Sequence, residues 1–258
     1  MPEFALKRNS SLSRRSKKKI FHKLNLKTSI IENDDVIFHV TDGNLIEYNF
    51  ANHISNHKKQ LKILHQALPN LLFQREFFIL HGSAFEFKDR SIILMGTSGS
   101  GKSESLNVIK NHNRVISDDI IALKFSENKT ICYPGLSVLC IRNNNSERPL
   151  EDRRNRALEI LADNVMVQNK LNVTDIFYLN WGSENNIYKI DGIKSVKQII
   201  LNSFRPIPTG DCKKSEKFYL SSISSLVKDT DQYIFERKEG SVQHSILKLY
   251  EFLENKYD

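Results

Sequence analysis

The chain has 258 residues, enough to bury one good-sized core and, by length, to form one or at most two domains. Its 40% hydrophobic and 26% charged content suits a soluble globular protein; no run approaches the roughly 18 to 20 apolar residues of a membrane helix, and no apolar stretch of a secretory signal follows the basic N-terminus. The net charge of +8 is local: residues 1–27 carry Lys7, Arg8, Arg14, Arg15, Lys17, Lys18, Lys19, Lys23 and Lys27 against Glu3, which leaves the remainder neutral and argues against a nucleic-acid partner for the folded domain.

Cys132, Cys140 and Cys212 are odd in number and lack CxxC spacing, the usage of reduced thiols in a cytoplasmic protein. The first 27 residues have the Ser and Lys/Arg bias of a disordered tail. Near its end, Ile20, Phe21 and Leu24 fall on one face of a helix, an arrangement suited to an acidic partner or a membrane surface; a solvated leader is the alternative. From Thr28 the pattern changes to short alternating runs, TSIIEN, DVIFHVT and NLIEYNF, with a hairpin turn at Asp42-Gly43. Leu61, Ile63, Leu64 and Leu68 then recur at helical spacing, with Pro69 limiting where the last turn can lie. Two apolar runs, EFFILHGSAFEF and SIILMG, read as adjacent buried strands joined by KDR. A helix begins within GKSESLNVIK, and NRVISDDIIALKF and TICYP read as further strands. After an Arg- and Asn-rich stretch come a strand in DIFYLNW, helices in SVKQIILNSF and KFYLSSISSLV, a strand in DQYIFERK and a C-terminal amphipathic helix. No internal repeat is present, and residues 28–258 read as a single α/β domain.

Gly96-Thr97-Ser98-Gly99-Ser100-Gly101-Lys102-Ser103 matches G-x-x-x-x-G-K-[ST] at every fixed position. Glycines let the chain curl so that successive N–H groups point at one anion, and the following helix presents its N-terminal dipole to the same charge. Lys102 supplies a cation to the β and γ phosphates, and the Ser103 hydroxyl suits Mg²⁺. The context is that of a P-loop: an apolar strand leads in and a helix leads out.

Asp118 and Asp119 end the apolar strand RVIS. If that strand lies beside the loop strand, its carboxyl end brings both acids near the γ phosphate, one to the metal and the other to the acceptor hydroxyl as a base. The alternative is a solvent-facing pair in a turn. His81 closes the run FFIL; a histidine there is read as structural or as part of the same site.

His81-Gly82, GTSGSGKSES and ISDD, at these spacings, resemble the kinase core of the HPr kinase/phosphorylase family, which is related in fold to phosphoenolpyruvate carboxykinase. The likeness covers roughly residues 77–136 and extends to Glu104 directly after Ser103 and to YPGL at Tyr133–Leu136. It includes the compact members that phosphorylate serine in peptide precursors such as those of lasso peptides. The resemblance implies a P-loop kinase core with a mixed β-sheet and flanking helices. It also implies ATP and Mg²⁺ as cofactors, Asp118 as base, His81 tuning it, and Ser103, Glu104 and Asp119 around the metal. Two departures bear on the substrate. Ninety-five residues before the loop leave little room for the N-terminal domain of HPr kinase proper, and its signature C-terminal to the Asp pair has no clear copy, which argues against HPr and against phosphorolysis. Arg142, Arg148, Arg153 and Arg154 fall in that region, as a solvated loop or as one γ-phosphate contact.

The expected activity is γ-phosphoryl transfer from ATP to a hydroxyl, on a serine of a peptide or small protein. A free small-molecule acceptor, an NTP hydrolase or switch, and a non-catalytic nucleotide-sensing module are the alternatives. No NKxD motif marks a GTPase, and a homo-oligomer is compatible with the sequence.

Overall fold

A computed structural model of the chain describes residues 4–12, 20–24, 28–142, 156–204, 213–238, 240 and 242–258. The chain divides into two compact units, Met1–Ile79 with Ser203–Ser224, and Leu80–Asn202 with Ser225–Asp258.

In the first unit, β1 (Ala5–Arg8), β2 (Ile20–Leu24), β3 (Thr28–Glu32), β4 (Val36–Thr41) and β5 (Leu45–Phe50) form a five-stranded sheet in the order β1-β5-β4-β3-β2. Asp42 and Gly43 both have positive φ, 51° and 64°, and are the central residues of a turn closed by the Asn44 N–H donating to the Thr41 carbonyl at 3.0 Å, in a three-residue connection between β4 and β5. The tail departs from its sequence reading. Ala5–Arg8 pairs parallel with Leu45–Tyr48 through the main chain, its side chains exposed. Ile20–Leu24, expected on a helix, is a strand antiparallel to β3, because the β3 edge offers unpaired backbone groups that a lone five-residue helix would lack. Residues 13–19 lie outside the described residues.

Next come α1 (Asn56–Lys62) and α2 (Leu68–Gln74), joined by a π-helical turn at Ile63–Ala67. Pro69 has no N–H to donate and its ring crowds the carbonyl four residues back. The π turn shifts the ladder, with the Leu68 N–H bonding the Ile63 carbonyl, so the helix continues past the proline. Buried Leu68, Leu71, Leu72 and Phe73 form its apolar face. Gln74 locks that helix to the sheet: Nε2 donates to Ser29 Oγ at 2.9 Å and to the Val40 carbonyl at 3.0 Å, while Oε1 accepts from the Gly43 N–H at 2.8 Å. The boundary between the units falls within β6 (Phe78–Leu80).

The second unit continues with β7 (Gly82–Phe87), β8 (Arg90–Met95), α3 (Lys102–Ile109), β9 (Val115–Asp118), β10 (Ile121–Ser126) and β11 (Lys129–Tyr133). A separate hairpin pairs β12 (Val138–Arg142) with β13 (Arg156–Ile160). Then follow β14 (Leu171–Gly182), β15 (Asn186–Ile190), α4 (Gly192–Asn202), α5 (Lys213–Asp229, begun in the first unit), β16 (Asp231–Lys238) and α6 (Val242–Tyr257). The sheet runs β10-β11-β14-β8-β7-β9; β16 pairs parallel with β14, and β15 antiparallel with β16. The result is a mixed α/β fold, with parallel β8, β14 and β16 at its centre. Phe85, Leu94, Phe177 and Phe235 from the sheet join Leu106 of α3 and Leu249 of α6 in one buried core.

Register decides what meets the loop. β9 does not lie beside β8, as the sequence suggested; β7 stands between them, antiparallel to both. Ser83 pairs with Leu94 on one side and Asp118 on the other, so Asp118 sits level with the last residues before Gly96. A hairpin partner displaced β9 because only Lys88 and Asp89 separate β7 from β8.

Candidate functional site

The loop Gly96–Gly101 leaves the carboxyl end of β8 and turns into α3. Gly96, Gly99 and Gly101 have φ of 148°, 89° and 79°, backbone that side-chain-bearing residues rarely adopt. Lys102 is buried; its Nζ donates to the carbonyls of Gly96 at 2.7 Å and Thr97 at 3.2 Å, closing the loop on itself. The Gly96 N–H donates to Asn202 Oδ1 at 3.2 Å, and the Asn202 carbonyl accepts the His81 N–H at 2.7 Å. One residue at the end of α4 therefore holds both the loop and the segment bearing His81.

Asp118 is buried and takes two hydroxyl hydrogen bonds on Oδ1, from Ser83 at 2.6 Å and Ser103 at 3.3 Å. The Ile120 N–H donates to the Asp118 carbonyl at 2.9 Å, closing a three-residue turn around Asp119. Asp119 has φ of 69°, in a region that costs most residues of order 1 kcal/mol or more and that Asp tolerates better than most. His81 Nδ1 lies 3.0 Å from the Asp119 carbonyl and 3.2 Å from its Oδ1. Both are acceptors, so Nδ1 carries the hydrogen in either charge state of the ring. The contacts thus join Ser103 to Asp118 and His81 to Asp119, a different grouping from the one the family resemblance implies.

Glu104 is exposed on the first turn of α3, and one of its carboxylate oxygens is 3.1 Å from where a Cβ on Gly101 would stand. Among the described residues no group of three or more His, Cys, Asp or Glu is placed to hold a metal by itself. Ser103 and Asp118 nonetheless offer hard oxygens side by side, which fits Mg²⁺, an ion held by one or two carboxylates with the remainder from phosphates and water. Of the four arginines raised from the sequence, Arg148, Arg153 and Arg154, and the side chain of Arg142, lie outside the described residues.

Neither a protein-family model nor a curated protein matches the sequence. Among solved structures, the chain is similar to the Hpr(Ser) kinase/phosphatase from Coxiella burnetii. The TM-score is 0.42 with 12% identity, over 69% of this chain and 97% of that one. The relationship is distant and structural.

Two residues of the site escaped the sequence reading. Arg237 of β16 is fully buried beneath the loop: Nη1 donates to Ser105 Oγ at 2.9 Å, Nη2 donates to the Ser100 carbonyl, and Nε has no hydrogen-bond partner among the described residues. Burial pushes its guanidinium down to about 10, with nearby Glu104 pulling the other way. A signal existed: Arg237 alternates with Tyr233 and Phe235, so it stands on the apolar face of its strand. Asn202 closes an amphipathic helix and carried no signal at all. No helix among the described residues is long and apolar enough to cross a membrane.

Proposed function

We propose that the chain is an ATP- and Mg²⁺-dependent phosphotransferase that moves the γ-phosphoryl group to a hydroxyl, with a serine of a peptide or small protein as acceptor. The observation that carries this reading is the bond from Ser103, in the P-loop helix, to Asp118, two strands away from the loop strand. It brings the nucleotide loop and the acidic pair into one site.

A bound triphosphate would take over the two Lys102 hydrogen bonds now spent on loop carbonyls, adding a cation where charge develops on the transferring group. Mg²⁺, when bound, neutralises the β and γ oxygens, and Ser103 and Asp118 are the side chains that would hold it. Asp118 stands beside the Ser103 hydroxyl and already accepts from Ser83, a placement that suits a metal ligand better than a base. Asp119 and His81 form the other half: the carboxylate orients the ring through Nδ1–H, and this pair receives the acceptor's proton. These roles exchange the two aspartates relative to the family resemblance. The serine acceptor rests on that resemblance alone; the cytoplasmic setting rests on the chain's cysteine usage.

The test is incubation with γ-labelled ATP, Mg²⁺ and serine-containing peptides, beside the Lys102→Ala variant. Label on the peptide, lost in the variant, is the expected result. Label released only as free phosphate would make the chain a hydrolase or switch. Bound nucleotide with neither product would make it a sensing module, and unchanged turnover in the variant would remove the nucleotide site altogether.

A further inference from the structure

We infer that Trp181 is the platform on which the nucleobase stacks, a subsite that rests on the nucleotide reading above and extends it from the phosphates to the base. Trp181 is the penultimate residue of β14, directly in register with Arg237 of β16, toward the carboxyl end of the parallel strands, where the loop leaves β8. Its Nε1 donates to the carbonyl of Gly99 at 3.3 Å, which fixes the ring against the loop itself. The Arg237 guanidinium lies 4.6 Å from the ring centroid and is wholly shielded from solvent, so it covers the indole from the protein side. The residue as a whole remains 45% exposed.

An indole held at both its nitrogen and one face has lost its freedom already, yet leaves a large apolar area in water. A planar aromatic ligand would recover that area at little further ordering cost. The ligand must reach it from a site where the loop amides hold phosphates, and Gly99 belongs to that loop. A nucleobase tethered through its ribose to the α phosphate meets both conditions. Stacking of a base on an aromatic side chain is worth roughly 10-fold or more in affinity and is indifferent to which base is present.

The experiment compares Mg²⁺·ATP with Mg²⁺·tripolyphosphate, which shares the phosphates and lacks the base. Affinities are measured by calorimetry on the full chain and on Trp181→Leu and Trp181→Phe. The expected result is a rise of about 10-fold in the ratio of the ATP Kd to the tripolyphosphate Kd for Trp181→Leu, with Trp181→Phe recovering most of the loss because it keeps a ring. Trp181 is the single tryptophan of the chain, so its emission reports the subsite directly: ATP should quench it and tripolyphosphate should not. If Trp181→Leu weakens both ligands equally, or neither, Trp181 only braces the loop and the inference fails while the phosphate site stands. If the wild-type chain binds neither ligand, the nucleotide reading fails with it.

Discussion

Asp118 and Asp119 are neighbours in sequence and do different things in space. Asp118 ends a strand and faces two serine hydroxyls, whereas Asp119 lies in a tight turn and faces an imidazole. The split predicts distinct defects. On the proposed assignment, Asp118→Asn should raise the Mg²⁺ needed for half-maximal rate, because a carboxylate that would hold the cation is lost. Asp119→Asn and His81→Ala should leave Mg²⁺·ATP affinity close to wild type and lower kcat by about 10²- to 10⁴-fold, the usual worth of acid–base catalysis. Calorimetry of Mg²⁺·ATP beside single-turnover phosphorylation separates the two. The reverse pattern, with Asp118→Asn keeping its metal dependence and losing turnover, would restore Asp118 as the base.

Among the elements, the segment after β11 has the tightest constraint on the site. Gly135 crosses β9 so closely that an added Cβ would stand 2.1 Å from Ser117 Oγ and 2.6 Å from Ser117 Cβ. The Gly135 N–H donates to the Ile116 carbonyl at 2.8 Å, so the crossing is pinned. Overpacking of this kind costs about 1–3 kcal/mol, and here the strain falls on the residue before Asp118. Gly135→Ala should therefore lower the melting temperature by several degrees and also weaken the Mg²⁺ response. A variant with wild-type melting and wild-type metal dependence would show that the loop simply moves aside. The same reasoning explains β7: it is buried along its length, and its pairing with both β8 and β9 transmits the position of the acids to the loop.

At the scale of the whole molecule, acid stability rests on carboxylates with partners. Asp35 is held below the usual carboxylate range by its hydrogen bond from Lys62 at 2.7 Å. For Asp231, burial alone would raise the value, and hydrogen bonds from Lys189 at 2.6 Å and Lys256 at 2.7 Å bring it below the usual range instead. A carboxyl depressed in the folded chain contributes stability above its unfolded value, near about 4, and loses it as pH falls through the folded one. Melting temperature should accordingly hold steady down to about pH 4 and fall below it. Asp231→Asn should melt lower at pH 7 and show a shallower acid slope. Equal slopes in the two proteins would mean that Asp231 carries none of the acid sensitivity.

The glycine loop between β8 and α3 was legible residue by residue because its pattern is local. Glycine backbone, one lysine, one hydroxyl and an apolar strand before them are all contiguous, and the hairpin turn at Asp42-Gly43 was readable for the same reason. So were the alternating strands and the amphipathic helices, whose periodicity is set by the elements themselves. What tertiary structure alone decided was partnership across long separations. Strand order placed β7 between β8 and β9, and register set Asp118 rather than Asp119 beside Ser103. Backbone pairing drew Ala5–Arg8 into a sheet despite its tail-like composition, because an open strand edge binds main chain regardless of side chains. Arg237, Asn202 and Trp181 reach the loop from 80 to 140 residues away in the chain, and no local pattern encodes a contact that exists only once the parallel strands β8, β14 and β16 are side by side.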